Sequence, residues 1–355
     1  MLRPFGAKPR LTPTKVRRVQ NLICARFRGR TTLALELVSA AVYNRRVPEP
    51  FATPIAAATR YCAVYGHPIK HSASPAMQNA GLAALGLDWR YLAFEVRPDD
   101  LREAIAGAKA MRYIGLNLTV PHKLLAVPMV DALDESARVW GAVNTIRFEG
   151  RDADGVWQPL RVFAETTPEQ IRAHGFNTDA DAVVRSISED LGLGLAGASV
   201  LLLGAGGAGR VAALKLAAEN VAELFLINRT AAKAEAIAAE IRLRYPRVRV
   251  LVGYPPTGAR ITLVINATSL GLNATDELPF NPKAFSPAQA QAAYDMVYRP
   301  AETPFLRVAA AAGCRVANGL GMLLYQGAKA LELWTGRNPP IEVMRAALQK
   351  NIYDR

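Results

Sequence analysis

Four clusters of polar residues in the first half of the chain have the makings of a small-molecule site. Ser72 and Ser74, in His71-Ser72-Ala73-Ser74-Pro75, stand at the mouth of a helix, where two hydroxyls and free backbone N–H groups could hold a carboxylate. Asn117 and Thr119 are two apart on a strand and so face the same side, and Lys123 follows one tight turn later. Asn144 and Thr145 end the turn that begins at Gly141-Ala142-Val143, and Asn177-Thr178-Asp179 opens a helix. A fifth element lies far along the chain, where Gln326 sits on a helix that begins just after Asn318-Gly319-Leu320-Gly321. Each of these also has a structural reading. Ser72, Ser74 and Thr178 suit helix caps, Asp179 a capping position, Lys123 and Gln326 solvated surfaces, Asn144 a turn, and His71 and His122 structural roles.

A second kind of chemistry is written in Gly204-Ala205-Gly206-Gly207-Ala208-Gly209, between the apolar run Ser199–Leu203 and the Ala-rich stretch Arg210–Ala218. Glycines at this spacing let the chain turn tightly off a buried strand and bring backbone N–H groups to a pyrophosphate at a helix N-terminus. A second strand, Glu223–Ile227, follows at the right distance. Where a ribose 2′-hydroxyl would want an acidic acceptor, the chain offers Asn228-Arg229-Thr230, which favours a 2′-phosphate and hence NADP(H).

These residues need rigid elements to hold them, and from about residue 60 short apolar runs alternate with helical segments, the signature of an α/β fold. Strands are expected at Arg60–Gly66, Trp89–Val96, Tyr113–Val120 and the apolar stretch Ala142–Phe148. Helices are expected at Pro75–Leu85, at Asp99–Met111 with an Asp cap, and at Pro121–Ala126 with proline in its first position. The charged, Gly- and Pro-containing segment Glu149–Pro168 reads as an inserted surface loop. Asp179–Leu191 is helical and leads into the glycine turn, and Val248–Val252, Ile261–Asn266 and Ala292–Met296 look like later strands of the nucleotide domain. Helices Met322–Trp334 and Ile341–Lys350 end the chain. Two domains therefore meet near residue 180, with a cleft between them for a ligand that touches both.

The chain has 355 residues, enough for two domains of ordinary size. Its net charge of +13 is concentrated at one end: residues 1–46 hold eleven Lys or Arg against the single acid Glu36. The basic character thus belongs to an N-terminal extension, and nucleic-acid binding is not expected of the nearly balanced body. Arg-rich, acid-poor N-termini occur in transit peptides, in disordered arms and in upstream sequence from a misassigned start, so organellar targeting stays open. The apolar patch Thr31–Tyr43 could make a short helix. Cys24, Cys62 and Cys314 are odd in number and scattered, matching neither a disulfide framework nor a zinc pattern, which points to a reducing, cytoplasmic setting with no metal site. No run is long and apolar enough to cross a bilayer.

Taken together, the ordered motifs resemble the shikimate dehydrogenase family. The resemblance runs from His71-Ser72-Ala73-Ser74-Pro75 through Asn117-Leu118-Thr119-Val120-Pro121-His122-Lys123, Gly141-Ala142-Val143-Asn144-Thr145 and Asn177-Thr178-Asp179 to the glycine turn and Asn228-Arg229-Thr230. It continues through Asn266-Ala267-Thr268-Ser269-Leu270-Gly271, Tyr294-Asp295-Met296-Val297-Tyr298 and Asn318-Gly319-Leu320-Gly321-Met322-Leu323-Leu324-Tyr325-Gln326, covering roughly residues 61–340. It implies a substrate-binding catalytic domain over 60–179, a Rossmann-type NADP-binding domain over 180–320, and C-terminal helices over 321–355 that pack back on the first domain; the basic extension over residues 1–59 has no counterpart in it. The implied reaction is the reduction of 3-dehydroshikimate to shikimate with NADPH, a step towards aromatic amino acids. Lys123 would be the proton donor at the ketone oxygen with Asp179 beside it, and in the oxidation direction the neutral lysine would take the hydroxyl proton. Ser72 and Ser74, helped by Thr119 and Tyr298, would hold the substrate carboxylate, while Asn117, Asn144, Asp179 and Gln326 would read the ring hydroxyls. On the cofactor side, Gly204–Gly209 would take the pyrophosphate, Asn228, Arg229, Thr230 and Lys233 the 2′-phosphate, and Thr268, Ser269, Met296, Gly319 and Met322 the rest of the cleft. Met322 and Gln326 are four apart and share a helix face. A monomer or homodimer is expected.

Three departures stand out. Gln78 replaces a usual histidine, Ala182 replaces a common glycine, and the gap from Asn144 to Asn177 is lengthened by the Glu149–Pro168 segment. The first two are expected to have modest packing effects. Three rival functions stay open: a quinate or quinate/shikimate dehydrogenase using NAD(H), a silent NADP-sensing module on the same fold, and an adaptor whose working part is the basic N-terminus. Asn228-Arg229-Thr230 speaks against NAD, the paired serines suit shikimate, and an intact Lys123 and Asp179 speak against a sensor.

Overall fold

A computed structural model describes residues 54–354, apart from 164, 165, 167 and 274. The helix expected over Thr31–Tyr43 and Cys24 lie outside the described residues. The chain builds two sheets, each with its own apolar core. The first collects β1 (Arg60–Gly66), β2 (Trp89–Glu95), β3 (Gly115–Leu118), β4 (Ala132–Leu133), β5 (Thr145–Arg151), β6 (Trp157–Pro159) and β7 (Ile171–Phe176) in the order β2-β1-β3-β5-β7-β4, with β6 pairing β5. The sheet is mixed: β1 lies parallel to β2 and β3, whereas β5 runs antiparallel to both β3 and β7. Between these strands lie α1 (Ser74–Ala84), α2 (Leu101–Ala110), the single turn α3 (His122–Leu125) and α4 (Glu135–Trp140).

Helix α5 (Asp179–Leu191) carries the chain into the second sheet. That sheet holds β8 (Ser199–Leu203), β9 (Glu223–Ile227), β10 (Arg249–Val252), β11 (Ile261–Asn266), β12 (Ala290–Asp295) and β13 (Arg315–Asn318), with α6 (Gly207–Ala218), α7 (Ala231–Arg244) and α8 (Pro304–Ala311). Its order, β10-β9-β8-β11-β12-β13, is all parallel and is the doubly wound 3-2-1-4-5-6 arrangement. The strands read as unbroken apolar runs because helices cover both faces; Val200, Leu201, Leu202 and Leu203 are all fully buried. The order reverses between β8 and β11, and ligands of such sheets bind at that switch, beyond the strand C-termini.

The chain then returns. Helices α9 (Leu320–Thr335) and α10 (Ile341–Tyr353) contribute Leu324, Leu331, Trp334, Met344 and Leu348 to the core of the first sheet, together with Leu116, Ile146 and Phe148. Trp334 locks this packing by donating its indole N–H to the carbonyl of Ile146 at 3.0 Å. Two glycines let α9 sit close to its neighbours. A Cβ at Gly321 would come within 2.3 Å of Ser186 on α5, and one at Gly327 within 2.2 Å of Met77 on α1.

Several expected boundaries shift. The strand expected over Tyr113–Val120 is confined to Gly115–Leu118, and Asp99 caps no helix: a 3₁₀ turn at Pro98–Asp100 leads into α2 without a side-chain cap. Pro121 is the N-cap of α3 rather than its first residue. The segment Glu149–Pro168 is not a plain loop. It extends β5 to Arg151, adds β6 and a 3₁₀ turn at Leu160–Val162, and buries Leu160 at 1% exposure. Its charged residues misled because they are paired within the sheet: Glu149, 1% exposed, accepts from Arg147, from Arg172 at 2.7 Å and meets His174 at 3.0 Å. Gln78, also fully buried, donates to the Gly327 carbonyl at 2.9 Å, tying α1 to α9.

Candidate active site

A cavity of about 320 Å³ opens where the C-terminal ends of the two sheets face each other. Ser72, Ser74, Asn117, Thr119, Lys123 and Asp179 line it from the first half, and Ala208, Met296, Tyr298 and Gly319 from the second. Met322, Leu323 and Gln326 close it from α9. Residues more than 250 positions apart in sequence thus share one wall. Lys123 and Asp179 form its ion pair, Nζ to Oδ2 at 2.7 Å, with the carboxylate side chain 9% exposed and the lysine 28%. The pairing follows from local structure. Asn177 accepts from the backbone N–H groups of Asp179 and Ala180 at 3.1 and 3.2 Å, capping α5 so that Asp179 is its first residue and faces the turn that carries Lys123. Thr178, a suggested cap, makes no side-chain cap bond.

The two serines sit where α1 begins, Ser74 as its first residue and buried, and the Ser74 N–H points at Ser72 Oγ at 3.4 Å. Tyr298 faces the same cavity, and burial raises its phenol above the ordinary value, partly countered by Arg299, so that it stays a neutral donor. Gln326 donates to the carbonyl of Leu323 at 2.8 Å, leaving its oxygen unclaimed among the described residues.

Asn117 and Asn144 differ in kind. Asn117 lines the cavity although only 5% exposed, and its Nδ2 is committed to Thr145 Oγ1 at 3.0 Å and the Asn144 carbonyl at 3.3 Å. Asn144 is 1% exposed and lies behind the wall; its Nδ2 donates to Thr178 Oγ1 at 2.9 Å and its Oδ1 accepts from the Thr178 N–H at 2.8 Å. This places Asn144 as the tie between β5 and the start of α5 rather than at the cavity surface. His122 lies away from the cavity. Its Nε2 donates to the Val96 carbonyl at 2.9 Å, and burial lowers its pKa.

The nucleotide half carries the geometry that a dinucleotide needs. The chain leaves β8 at Gly204 with φ +111°, and a Cβ at Gly209 would fall 2.2 Å from the Gly204 oxygen, so strand and helix close only over glycine. Gly206 and Gly207 are exposed, and a Cβ on either would meet nothing within 4 Å, which leaves the mouth of α6 open for a pyrophosphate. The described residues therefore fit NADP(H). Asn228 frames the turn, accepting from the Ala205 N–H at 3.0 Å and donating to the Thr230 carbonyl at 2.9 Å. Its second amide N–H has no partner among the described residues, and beside it on the 2′-phosphate side stand Arg229, Thr230 and Lys233, all exposed. Among the described residues, neither Arg229 nor Lys233 has a carboxylate partner. Thr268 uses its hydroxyl on Asn266 Oδ1 at 2.7 Å to shape the loop beyond β11, with Ser269 exposed beside it. Gly319 is required by close approach, since its Cβ would lie 2.2 Å from the Met296 carbonyl.

Sequence reasoning missed the supports. Tyr91 and Asn79 are buried residues that no spacing rule marks, and Asp295, although it stands within the Tyr294–Tyr298 motif, has no role assigned to it there; the importance of all three appears only once the sheets bring their partners together.

Comparison with known proteins agrees with the geometry. Residues 64–146 match the shikimate dehydrogenase substrate binding domain, residues 186–270 the family described as shikimate / quinate 5-dehydrogenase, and residues 319–349 the shikimate 5′-dehydrogenase C-terminal domain. A shikimate dehydrogenase (NADP(+)) from Geobacter metallireducens is 39% identical over 293 residues, which is 81% of this chain and 95% of that protein. Among solved structures, a shikimate dehydrogenase in complex with NADP+ superposes with a TM-score of 0.73 at 34% identity, over 86% of this chain and 99% of that one. A shikimate 5-dehydrogenase from Thermus thermophilus, in complex with NADP(H) and shikimate, does so with a TM-score of 0.67 at 35% identity, over 82% and 99%.

Proposed function

The chain belongs to the shikimate dehydrogenase family, and from that premise we propose that Lys123 and Asp179 move the proton as it reduces 3-dehydroshikimate to shikimate. It is an oxidoreductase whose cofactor is NADP(H). The observation that carries the proton assignment is the 2.7 Å pair between Lys123 Nζ and Asp179 Oδ2, facing a cavity walled by both halves of the molecule.

A ketone that accepts hydride develops negative charge on oxygen, so the residue beside that oxygen must give up a proton. Bound NADPH supplies the hydride. Lys123 donates to the forming alkoxide from Nζ, and Asp179 holds the ammonium in line. In the reverse direction the neutral amine of Lys123 takes the hydroxyl proton. Ser72, Ser74, Thr119 and Tyr298 seat the carboxylate with neutral hydroxyl donors. Asn117, Gln326 and Asp179 read the ring hydroxyls, with Asn144 bracing Asn117 from behind. Gly204 to Gly209 would receive the pyrophosphate on backbone N–H groups, Asn228, Arg229, Thr230 and Lys233 would meet the 2′-phosphate, and Met296, Gly319 and Met322 would border the reacting end. The substrate partner is a small molecule, the enzyme works as a monomer or homodimer, and the reaction serves aromatic amino acid biosynthesis in the cytoplasm. Among the described residues no helix is long and apolar enough to cross a membrane.

Steady-state assays with shikimate and quinate against NADP+ and NAD+, on wild type and Lys123→Ala, test this reading. Preference for shikimate with NADP+ is expected, together with a loss in kcat of about 10²–10⁴ in the variant and a lesser change in KM. Equal turnover by Lys123→Ala would overturn the mechanism, and faster turnover of quinate with NAD+ would overturn the substrate assignment.

A further inference from the structure

Beneath the cavity floor, Tyr91 on β2 is 1% exposed and held from two directions. Asn79, on α1, brackets its main chain, with Asn79 Oδ1 accepting from the Tyr91 N–H and Asn79 Nδ2 donating to the Tyr91 carbonyl, both at 2.9 Å. Its ring stacks at a tilt against Trp334 with centroids 6.0 Å apart. The phenol therefore has one position. Its hydroxyl meets Asn117 Oδ1 at 2.7 Å.

The proton directions in this chain follow from the atoms involved. The Asn144 carbonyl can only accept, so the Asn117 atom facing it at 3.3 Å is the amide nitrogen, and the oxygen faces Tyr91. The Tyr91 hydroxyl therefore donates to Asn117. Both Asn117 amide protons are then spent, on Asn144 and Thr145, and what remains for a ligand is one lone pair of Oδ1. Ser74 belongs to the carboxylate end of the cavity and Asn117 to the ring-hydroxyl end.

We infer that Tyr91 is a positioning residue for the reaction: by holding Asn117 Oδ1 from behind it fixes the hydroxyl seat, and it keeps Asn117 an acceptor that demands a donating hydroxyl. A substrate with a hydroxyl there satisfies it; one with a carbonyl or hydrogen there leaves a buried acceptor unpaired. The inference rests on the shikimate reading, which wild-type turnover tests by itself.

The experiment is a double-mutant cycle on kcat/KM for shikimate with Tyr91→Phe, Asn117→Ala and the pair. Tyr91→Phe is expected to raise the shikimate KM about tenfold with kcat changed less than threefold and the NADP+ KM unaltered, because the phenol meets a substrate-facing group. In the Asn117→Ala background the same change should cost less than threefold. A Tyr91→Phe loss of equal size in both backgrounds, a matching rise in the NADP+ KM, or no loss at all would overturn the proposal. Should Tyr91→Phe fail to fold, deoxy and keto analogues of shikimate are assayed on wild type and Asn117→Ala instead, and losses of equal size in the two would overturn it.

Discussion

Asp295 shows how a single side chain can stiffen a site at a cost to the fold. It ends β12 with no exposure, accepting from Asn266 Nδ2 and the Val297 N–H at 2.9 Å on one oxygen and from the Thr303 hydroxyl at 2.6 Å on the other. It thereby ties the loop after β11 to the segment carrying Met296 and Tyr298. Burial pushes its carboxyl up to about 6, although Thr303, Val297 and Asn266 all bond the charged form. An unfolded aspartate titrates near 3.9, so between the two values the folded state holds more protons and stability falls as pH rises. The loss is complete above about pH 6 and amounts to roughly 3 kcal/mol. Glu149 has the opposite sign. Burial alone would raise it, but His174, Arg147 and Arg172 together hold it down to about 2, so its contribution is present above the usual glutamate range and disappears towards pH 2. In urea unfolding at pH 4, 5, 6 and 7, Asp295→Asn should gain on wild type by about 2 kcal/mol across the series, because only wild type must ionise a buried carboxyl. A difference that stays constant with pH would refute the argument.

Elements were legible to the extent that their burial is one-sided or complete. The β8–turn–α6 unit was visible because apolar strand, glycines and Ala-rich helix follow each other without a break, and β1 falls on Arg60–Gly66 as its apolar run suggests. β7 was not seen, since Arg172 and His174 look like loop residues until the antiparallel β5 supplies Glu149 as their partner. β4 spans only Ala132–Leu133, too short for any periodicity, and β13 alternates weakly because its first half is exposed. The candidate site divides in the same way. Residues on the cavity wall carried motifs; Tyr91 and Asp295, which position them, depend on contacts between strands and loops far apart in the chain. Within the glycine turn, the sterics separate folding from binding. Gly209→Ala puts a methyl into the Gly204 oxygen, and should lower Tm by several degrees and weaken NADP+ binding at least tenfold. Gly207→Ala meets no protein atom, so its Tm should hold or rise slightly through a less flexible unfolded chain. Its methyl points into the space assigned to the pyrophosphate, and NADP+ affinity should still drop. Thermal unfolding and calorimetric NADP+ titration of both variants check this; a Gly207→Ala enzyme with wild-type affinity would move the phosphate site elsewhere.

At the scale of the whole molecule, the chain passes from one core to the other at Thr178 and returns at Gly319, so α5 and α9 both border the cavity and touch each other through Gly321. That return explains why a cavity lined largely by the first 180 residues is completed by Gln326. It also bears on the charge. Every group assigned to substrate or cofactor lies between Ser72 and Gln326, whereas the densest positive charge lies in residues 1–46. The field of that charge on two anionic ligands decays over about 8 Å at 0.15 M ionic strength and about 30 Å at 0.01 M. Deleting residues 1–53 is therefore expected to leave kcat and both KM values within twofold at 0.15 M salt. Any rise in KM should appear only near 0.01 M and should affect NADP+, the more highly charged ligand, more than shikimate. Loss of turnover at both salt concentrations would make the arm part of the catalytic unit, and activity restored to the full chain only by added polyanion would make it a binding element in its own right.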